Sequence, residues 1–199
     1  MNKKLSLLAI LAVAGLATFG GGTQASCLGT GASCSENVTV EVEILPGDIC
    51  IGTTGSFDFG QYMALNTGQT QNGSFSDPFW VEDLKGSNTG YYTTVQLSGN
   101  MVGPGAEFIP ASNVFMSVAT TGVTTMAGSS NPNVSVAAGL LSFTPLNSAV
   151  TFIQRPLGAN NGLIGQYGKT PLMRIVIPAY QAVGTYTATL VYTLYEGNP

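Results

Sequence analysis

The chain has 199 residues, with six Lys or Arg against ten Asp or Glu and no histidine, for a formal net charge of −4 at pH 7. That length fits one domain with a sizeable core; the acidic balance denies it the basic patch that nucleic acid requires, and the missing histidine removes the commonest general base. Charged residues make up only 8% of the chain, so Ser, Thr, Asn, Gln and Gly do the solvating, a composition associated with extracellular proteins that assemble or lie against polysaccharide.

Lys3 and Lys4 precede an apolar run from Leu5 to about Phe19, followed by Gly20-Gly-Gly-Thr-Gln-Ala25. A charged start, an apolar stretch and small residues at Thr23 and Ala25 predict a secretory signal peptide over residues 1–25, cleaved after Ala25. A retained anchor is the competing reading, but the run is short of the ~20 residues a span needs. Acylation of Cys27 is another, but Gln24 stands where a lipidation motif wants an aliphatic residue. Cleavage leaves 174 residues, with Lys85, Arg155, Lys169 and Arg174 against ten acids, a formal net charge of −6. The mature chain is therefore expected to be secreted or on the cell surface and not to span a membrane.

Three cysteines, Cys27, Cys34 and Cys50, remain in the mature chain. An exported protein can oxidise them, and three permit one bridge with one thiol left over. Cys34–Cys50 and Cys27–Cys34 are both open, as is the fully reduced state. A zinc site is disfavoured by irregular spacing without histidine.

Residues 26–36 are small and polar and read as a flexible lead. From Asn37, Val38, Val40, Val42 and Ile44 alternate with Thr39, Glu41 and Glu43, the pattern of a half-buried strand, which Pro46-Gly47-Asp48 turns. Ser56–Gly60 reads as a short strand and residues 66–74 as a loop. Phe75–Glu82 and Gly90–Leu97 read as strands around Leu84-Lys-Gly-Ser-Asn-Thr89, which looks like a hairpin turn. Asn113–Ala119, Val134–Phe143, Ala149–Gln154, Leu172–Ile177 and Thr185–Tyr195 follow as strands. In the last of these, Tyr186, Ala188, Leu190, Tyr192 and Leu194 share one face. A short polar tail follows, with no sign of a C-terminal anchor. Ten prolines and twenty-six glycines disfavour helices. The expected fold is all-β: a single antiparallel β-sandwich of roughly eight to ten strands over residues 37–199.

Two segments resemble the WxL domain, a cell-surface β-sandwich of Gram-positive bacteria. One is Phe79-Trp-Val-Glu-Asp-Leu-Lys-Gly-Ser-Asn-Thr-Gly-Tyr-Tyr-Thr-Thr-Val95; the other is Thr185-Tyr-Thr-Ala-Thr-Leu-Val-Tyr-Thr-Leu194. Phe57-Asp-Phe-Gly60 is similar to the family's early Phe-Gly element. Members carry Trp-x-Leu twice; here Tyr192-Thr193-Leu194 and Tyr91-Tyr92-Thr93 stand at those places, with Tyr for Trp at both. The resemblance spans about Phe57 to Leu194 and implies a sandwich that attaches non-covalently to the cell wall.

The ten acids form no recognisable catalytic pair of the kind a glycosidase needs, and no enzyme activity and no cofactor are expected. Asp77, Glu82, Asp83 and Asn88 are weak candidates for Ca²⁺ through loop oxygens, against the plainer reading of a solvated turn. Trp80, Tyr91 and Tyr92 are the candidate binding residues, since apolar sugar faces pack on aromatic rings; the plainer reading puts one of the two tyrosines in the core. Asn37-Val-Thr, Asn72-Gly-Ser and Asn133-Val-Ser match the glycosylation acceptor pattern. The expected partners are envelope polysaccharide or other surface proteins. Two non-enzymatic readings result: a wall-associated surface protein, or a filament subunit whose Val38–Ile44 strand inserts into a neighbour's sheet. The short lead favours completion of the chain's own sheet.

Overall fold

Alternation sets the best-formed strands. In Phe79-Trp-Val-Glu-Asp83, residues 79, 81 and 83 are buried and 80 and 82 half-buried; in Tyr91–Leu97, residues 91, 93 and 95 are buried. A computed structural model describes residues 41–53, 56–159 and 163–198. These contain fourteen strands and three short 3₁₀ turns, and no α-helix among the described residues. The first seven strands are β1 (Ile49–Gly52), β2 (Gln69–Ser74), β3 (Phe79–Asp83), β4 (Tyr91–Leu97), β5 (Met101–Val102), β6 (Phe108–Ile109) and β7 (Val114–Ser117). The rest are β8 (Thr124–Gly128), β9 (Ser135–Val136), β10 (Thr144–Pro145), β11 (Val150–Arg155), β12 (Gly165–Lys169), β13 (Leu172–Ile177) and β14 (Leu190–Glu196).

Three four-stranded sheets run β1-β3-β12-β8, β10-β7-β13-β2 and β14-β4-β11-β9, with β5-β6 as a separate ribbon. Every pairing is antiparallel. The inward faces of all three sheets meet in one core: Phe79 and Val81 from the first, Met116, Met173 and Ile175 from the second, Tyr91, Val95 and Phe152 from the third. The all-β, sandwich-like architecture expected from the sequence is therefore present, in residues 44–199. Four of its strands are only two residues long, which leaves ten of the length a sequence pattern can register. No helix among the described residues is long and apolar enough to cross a membrane.

A bulge in β11 shows how a polar side chain serves this core. The register against β4 shifts between Thr151 and Gln154, so Phe152 and Ile153, consecutive residues, are both buried. The extra residue disturbs the ladder. Thr93 repairs it from within: its hydroxyl accepts from Ile153 N at 2.9 Å and donates to Ile153 O at 3.1 Å.

Several expected elements are corrected. The described part of the Asn37–Ile44 strand, from Glu41 on, carries no strand and is exposed; residues 37–40 lie outside the described residues. The first strand is instead β1, just beyond Pro46-Gly47-Asp48. Ser56–Gly60 forms no ladder, although Phe57 and Phe59 pack against the core. The expected loop at 66–74 contains β2, whose strand geometry comes from pairing with β13 rather than from its own polar sequence. Leu84–Thr89 is not a hairpin turn: β3 pairs with β1 and β12, whereas β4 pairs with β14 and β11, so the segment crosses between sheets. Val134–Phe143 shrinks to β9 and a 3₁₀ turn over Ala138–Leu141. The closing strand starts at Leu190, Thr187 making only an isolated bridge to Val102. The signal peptide and the lead at 26–36 fall outside the described residues.

Candidate functional site

The aromatic candidates are separated by the fold. Tyr91 is fully buried in sheet three, which removes it from any exposed platform and satisfies the plainer reading that one of the pair is core. Burial pushes its phenol pKa up, opposed by the positive charge of Arg155. Trp80 is half-buried on the outer face of sheet one, between its ladder partners Gly52 and Gly168. Its indole lies over Gly52, where any Cβ would strike the ring. Tyr92 faces outward from sheet three and stacks on Tyr195 with ring centroids 5.0 Å apart and planes 15° apart. The aromatic pair that forms is thus Tyr92–Tyr195, from facing positions on β4 and β14, and not Tyr91–Tyr92 with Trp80.

The calcium candidates do not converge either. Asp83 is fully buried and paired with Arg155, itself fully buried. Its Oδ1 accepts from Lys85 N at 3.0 Å. Asp77 is exposed and bonded to Ser76, Glu82 lies half-buried on the face of β3 opposite to Asp83, and Asn88 O accepts from Gly158 N at 2.8 Å. No group of three metal-ligating side chains is found among the described residues. The Asp83 carboxylate is committed to a guanidinium, which answers its charge where a cation was expected.

Arg155 ties the crossing segment down. Its Nη2 donates to Ser87 O at 3.0 Å and to Thr89 O, and the guanidinium lies 4.8 Å from the centroid of the Tyr91 ring. One buried cation therefore holds β3, β4, β11 and the connection between two sheets. The sequence carries a signal for it: Asp83 has the same parity as Phe79 and Val81, so alternation points a carboxylate inward, and an inward carboxylate needs a partner.

The closing-strand motif lies in β14, where Leu190, Tyr192 and Leu194 pack against the core. The Tyr192 ring meets Phe79 and Phe152 edge-on at 5.2 and 6.2 Å, and burial pushes its phenol pKa up. Thr193, at half-buried position, pairs with Thr94. Cys50 is exposed on β1; Cys27 and Cys34 lie outside the described residues.

One feature escaped the sequence reading. A mainly apolar groove of about 240 Å³ is lined by Phe57, Phe59 and Phe75, by Met173 of sheet two, and by Leu190 and Tyr192 of β14. Its aromatic wall is continuous: Phe59 meets Phe57 at 4.7 Å, Phe57 meets Phe75 at 4.8 Å, and Phe75 meets Phe79 at 5.0 Å. Gly73 makes room for it, since a Cβ there would stand 2.7 Å from Phe57 Cζ. The groove is smaller than the ~300–1,000 Å³ of typical small-molecule sites. It lacks ionisable side chains apart from the Tyr192 phenol, so its chemistry is suited to apolar side chains.

Compared with protein-family models, with curated proteins and with solved structures, the chain matches none.

Proposed function

We propose that this chain is an exported, non-enzymatic structural or binding protein of the cell surface, similar in kind to WxL-type wall-associated domains. The observation that carries the reading is the use made of its interior polar groups. The buried Asp83–Arg155 pair is consumed in holding sheets together, and the groove offers mainly apolar surface, its lining hydroxyls being those of Thr53, Ser56 and the half-buried Tyr192, with no carboxylate, imidazole or amine beside them. The export pattern at residues 1–25 and the hydroxyl-rich, weakly charged composition support the same reading. Envelope polysaccharide would meet the half-buried Tyr92 and the exposed Tyr195 where they stack on the outer face of sheet three, since apolar sugar faces pack on aromatic rings.

A second reading, a subunit that assembles by donating a strand to its neighbour, is favoured by one specific observation: Glu41–Ile44, the described part of the strand expected to complete the chain's own sheet, is exposed and forms no ladder with any described strand. Cell fractionation tests the first reading, with the chain expected in the surface or extracellular fraction and beginning at Ser26. Recovery in the cytoplasm with Met1 retained would overturn it. Turnover of a polysaccharide or ester substrate that disappears on substituting one carboxylate would overturn its non-enzymatic part.

A further inference from the structure

We infer that the loops at one end of sheets two and three form a surface that docks on a lipid bilayer, with Met63, Tyr180 and Val183 entering the boundary between headgroups and acyl chains. The inference goes beyond the surface-protein reading and rests on it only for access to a membrane.

The strand registers gather these loops. Ile177, the last residue of β13, faces Gln69, the first of β2, so residues 60–68 and 178–184 emerge from the same end of sheet two. Leu97, the last residue of β4, faces Leu190, the first of β14, so residues 98–109 and 185–189 emerge from the same end of sheet three. Hydrogen bonds join the two sets. Tyr180 N donates to Leu65 O at 2.9 Å, Tyr186 OH donates to Ala182 O at 2.8 Å, and Val102 and Thr187 exchange N–H to carbonyl bonds at 2.9 and 3.0 Å. A Cβ at Gly184 would strike the Pro104 ring, which places the β5–β6 ribbon against the loop after β13.

What stands on this end is apolar. Met63, Tyr180 and Val183 are 81%, 81% and 85% exposed, and Leu65, Val102 and Phe108 on the same loops are exposed too. Large apolar side chains concentrated in one region mark a contact surface. Tyr180 adds an independent sign. Its φ of 58° lies in the left-handed region, where a bulky residue is strained and glycine fits best. An aromatic ring is thus held out in water on a backbone that its own amide bond to Leu65 pins in place.

Charge and shape choose the partner. Residues 60–68, 98–109 and 178–189 contain one charged side chain, Glu107. A charged polymer would need opposite charges on these loops, and they have none to offer beyond that carboxylate. Met63, Tyr180 and Val183, more than four-fifths exposed, touch little of their own chain and project as knobs. A rigid partner, a second copy included, would need a fitted pocket for each; a fluid bilayer closes round all three. Tyrosine suits the headgroup level, having an apolar ring and a polar tip. Shallow entry strands few backbone donors, because the amides of Val102, Gly103, Glu107, Tyr180 and Thr187 are already bonded within the chain. Glu107 sets the lipid preference: anionic headgroups repel it, so zwitterionic lipid is favoured, and salt does not weaken the contact.

The test uses the exported chain, which lacks the apolar run at 5–19 that would itself bind lipid. It is floated through a sucrose gradient with phosphatidylcholine vesicles and, separately, with vesicles containing phosphatidylglycerol. The expected result is flotation with phosphatidylcholine that persists in ~0.5 M salt. Met63→Ser with Val183→Ser, both at exposed positions, should leave the melting temperature unchanged and lower the partition by roughly tenfold or more. Leu157→Ser, 63% exposed at the opposite end of sheet three, should leave flotation as it is; an equal loss there would show unspecific adhesion and overturn the inference. Failure to float overturns it, as does flotation that needs phosphatidylglycerol and disappears in salt, or flotation that the double variant keeps. Without flotation, larger species in sedimentation that the double variant dissolves would assign this end to a second copy, and pelleting with insoluble wall polysaccharide that the double variant loses would assign it to the wall. Either result overturns the bilayer contact and leaves the surface-protein reading intact; that reading fails separately, on fractionation.

Discussion

Two ends of the same sheet are finished differently. Around Asp83 and Arg155, Phe79, Val81, Tyr91, Thr93, Phe152 and Ile153 are fully buried, and a cation with three protein acceptors locks two sheets to the segment that joins them. Around β14, at the end of its sheet among the described residues, the inward residues are half-covered and an aromatic-walled groove remains. The difference teaches that a sandwich this poor in charge places the one buried ion pair among its described residues where the side chains are most fully enclosed, at the crossing between two sheets.

The sharpest break in that comparison is Asp83→Asn. It keeps the shape and removes the charge, leaving Arg155 buried without its counter-ion, and breaking such a pair costs about 3–5 kcal/mol. Urea unfolding of the variant should show that loss or failure to fold; a change below 1 kcal/mol would mean that the pair is not buried in solution.

Next is Tyr192→Ser beside the groove. It removes edge contacts to Phe79 and Phe152, but from a half-covered position, so the loss should be about 2–3 kcal/mol, below that of a fully buried aromatic. Thr193→Ser should be nearly silent. Equal melting temperatures for the two variants would show that the facing of β14 is wrong.

Alkaline pH compares the two sides through one group each. Burial raises the phenol pKa of Tyr91 and of Tyr192 in the folded chain. Unfolded tyrosines ionise near pH ~10, so above that the unfolded state binds fewer protons than the folded one and stability falls as pH rises. Stability is held in full below about pH 10 and then declines by up to ~1.4 kcal/mol per pH unit for each tyrosine. Tyr91→Phe and Tyr192→Phe should each flatten the decline; a slope unchanged in both would assign it elsewhere.

The smallest effect is expected from Lys85→Ala. Lys85 pairs with Glu196 at 2.7 Å, but both side chains are substantially exposed, and such pairs contribute about 0–1 kcal/mol. A larger loss would mean that this pair, too, belongs to the enclosed side.

Legibility in the sequence followed burial. β4, β11 and β13 were readable almost to the residue, because one face of each lies in the core and alternation records it. β2 was not, because an edge strand of Gln, Thr, Asn, Gly and Ser takes its conformation from β13 and has no apolar period of its own. Asn37–Ile44 misled for the opposite reason: it has the period, but its described part is exposed and carries no strand. The separation of Trp80 from Tyr92 was invisible because Leu84–Thr89 has the composition of a tight turn yet crosses between sheets. The Asp83–Arg155 pair, joining positions far apart in the chain, ties that crossing down, and Asp83 was read instead as a calcium candidate in a turn.

The strand orders carry a consequence for how the molecule is made. β3 needs β12, β2 needs β13, and β4 needs β11 and β14, with Tyr192 facing Val95. None of the three main sheets closes from the first half of the chain alone. Long loops must be gathered before any of these ladders rewards them, and chains of this connectivity reach the native state in milliseconds to seconds. Folding therefore follows synthesis and does not accompany it, and the nascent first half, rich in Thr, Ser, Gly and Asn, must stay soluble by composition until β11 to β14 arrive.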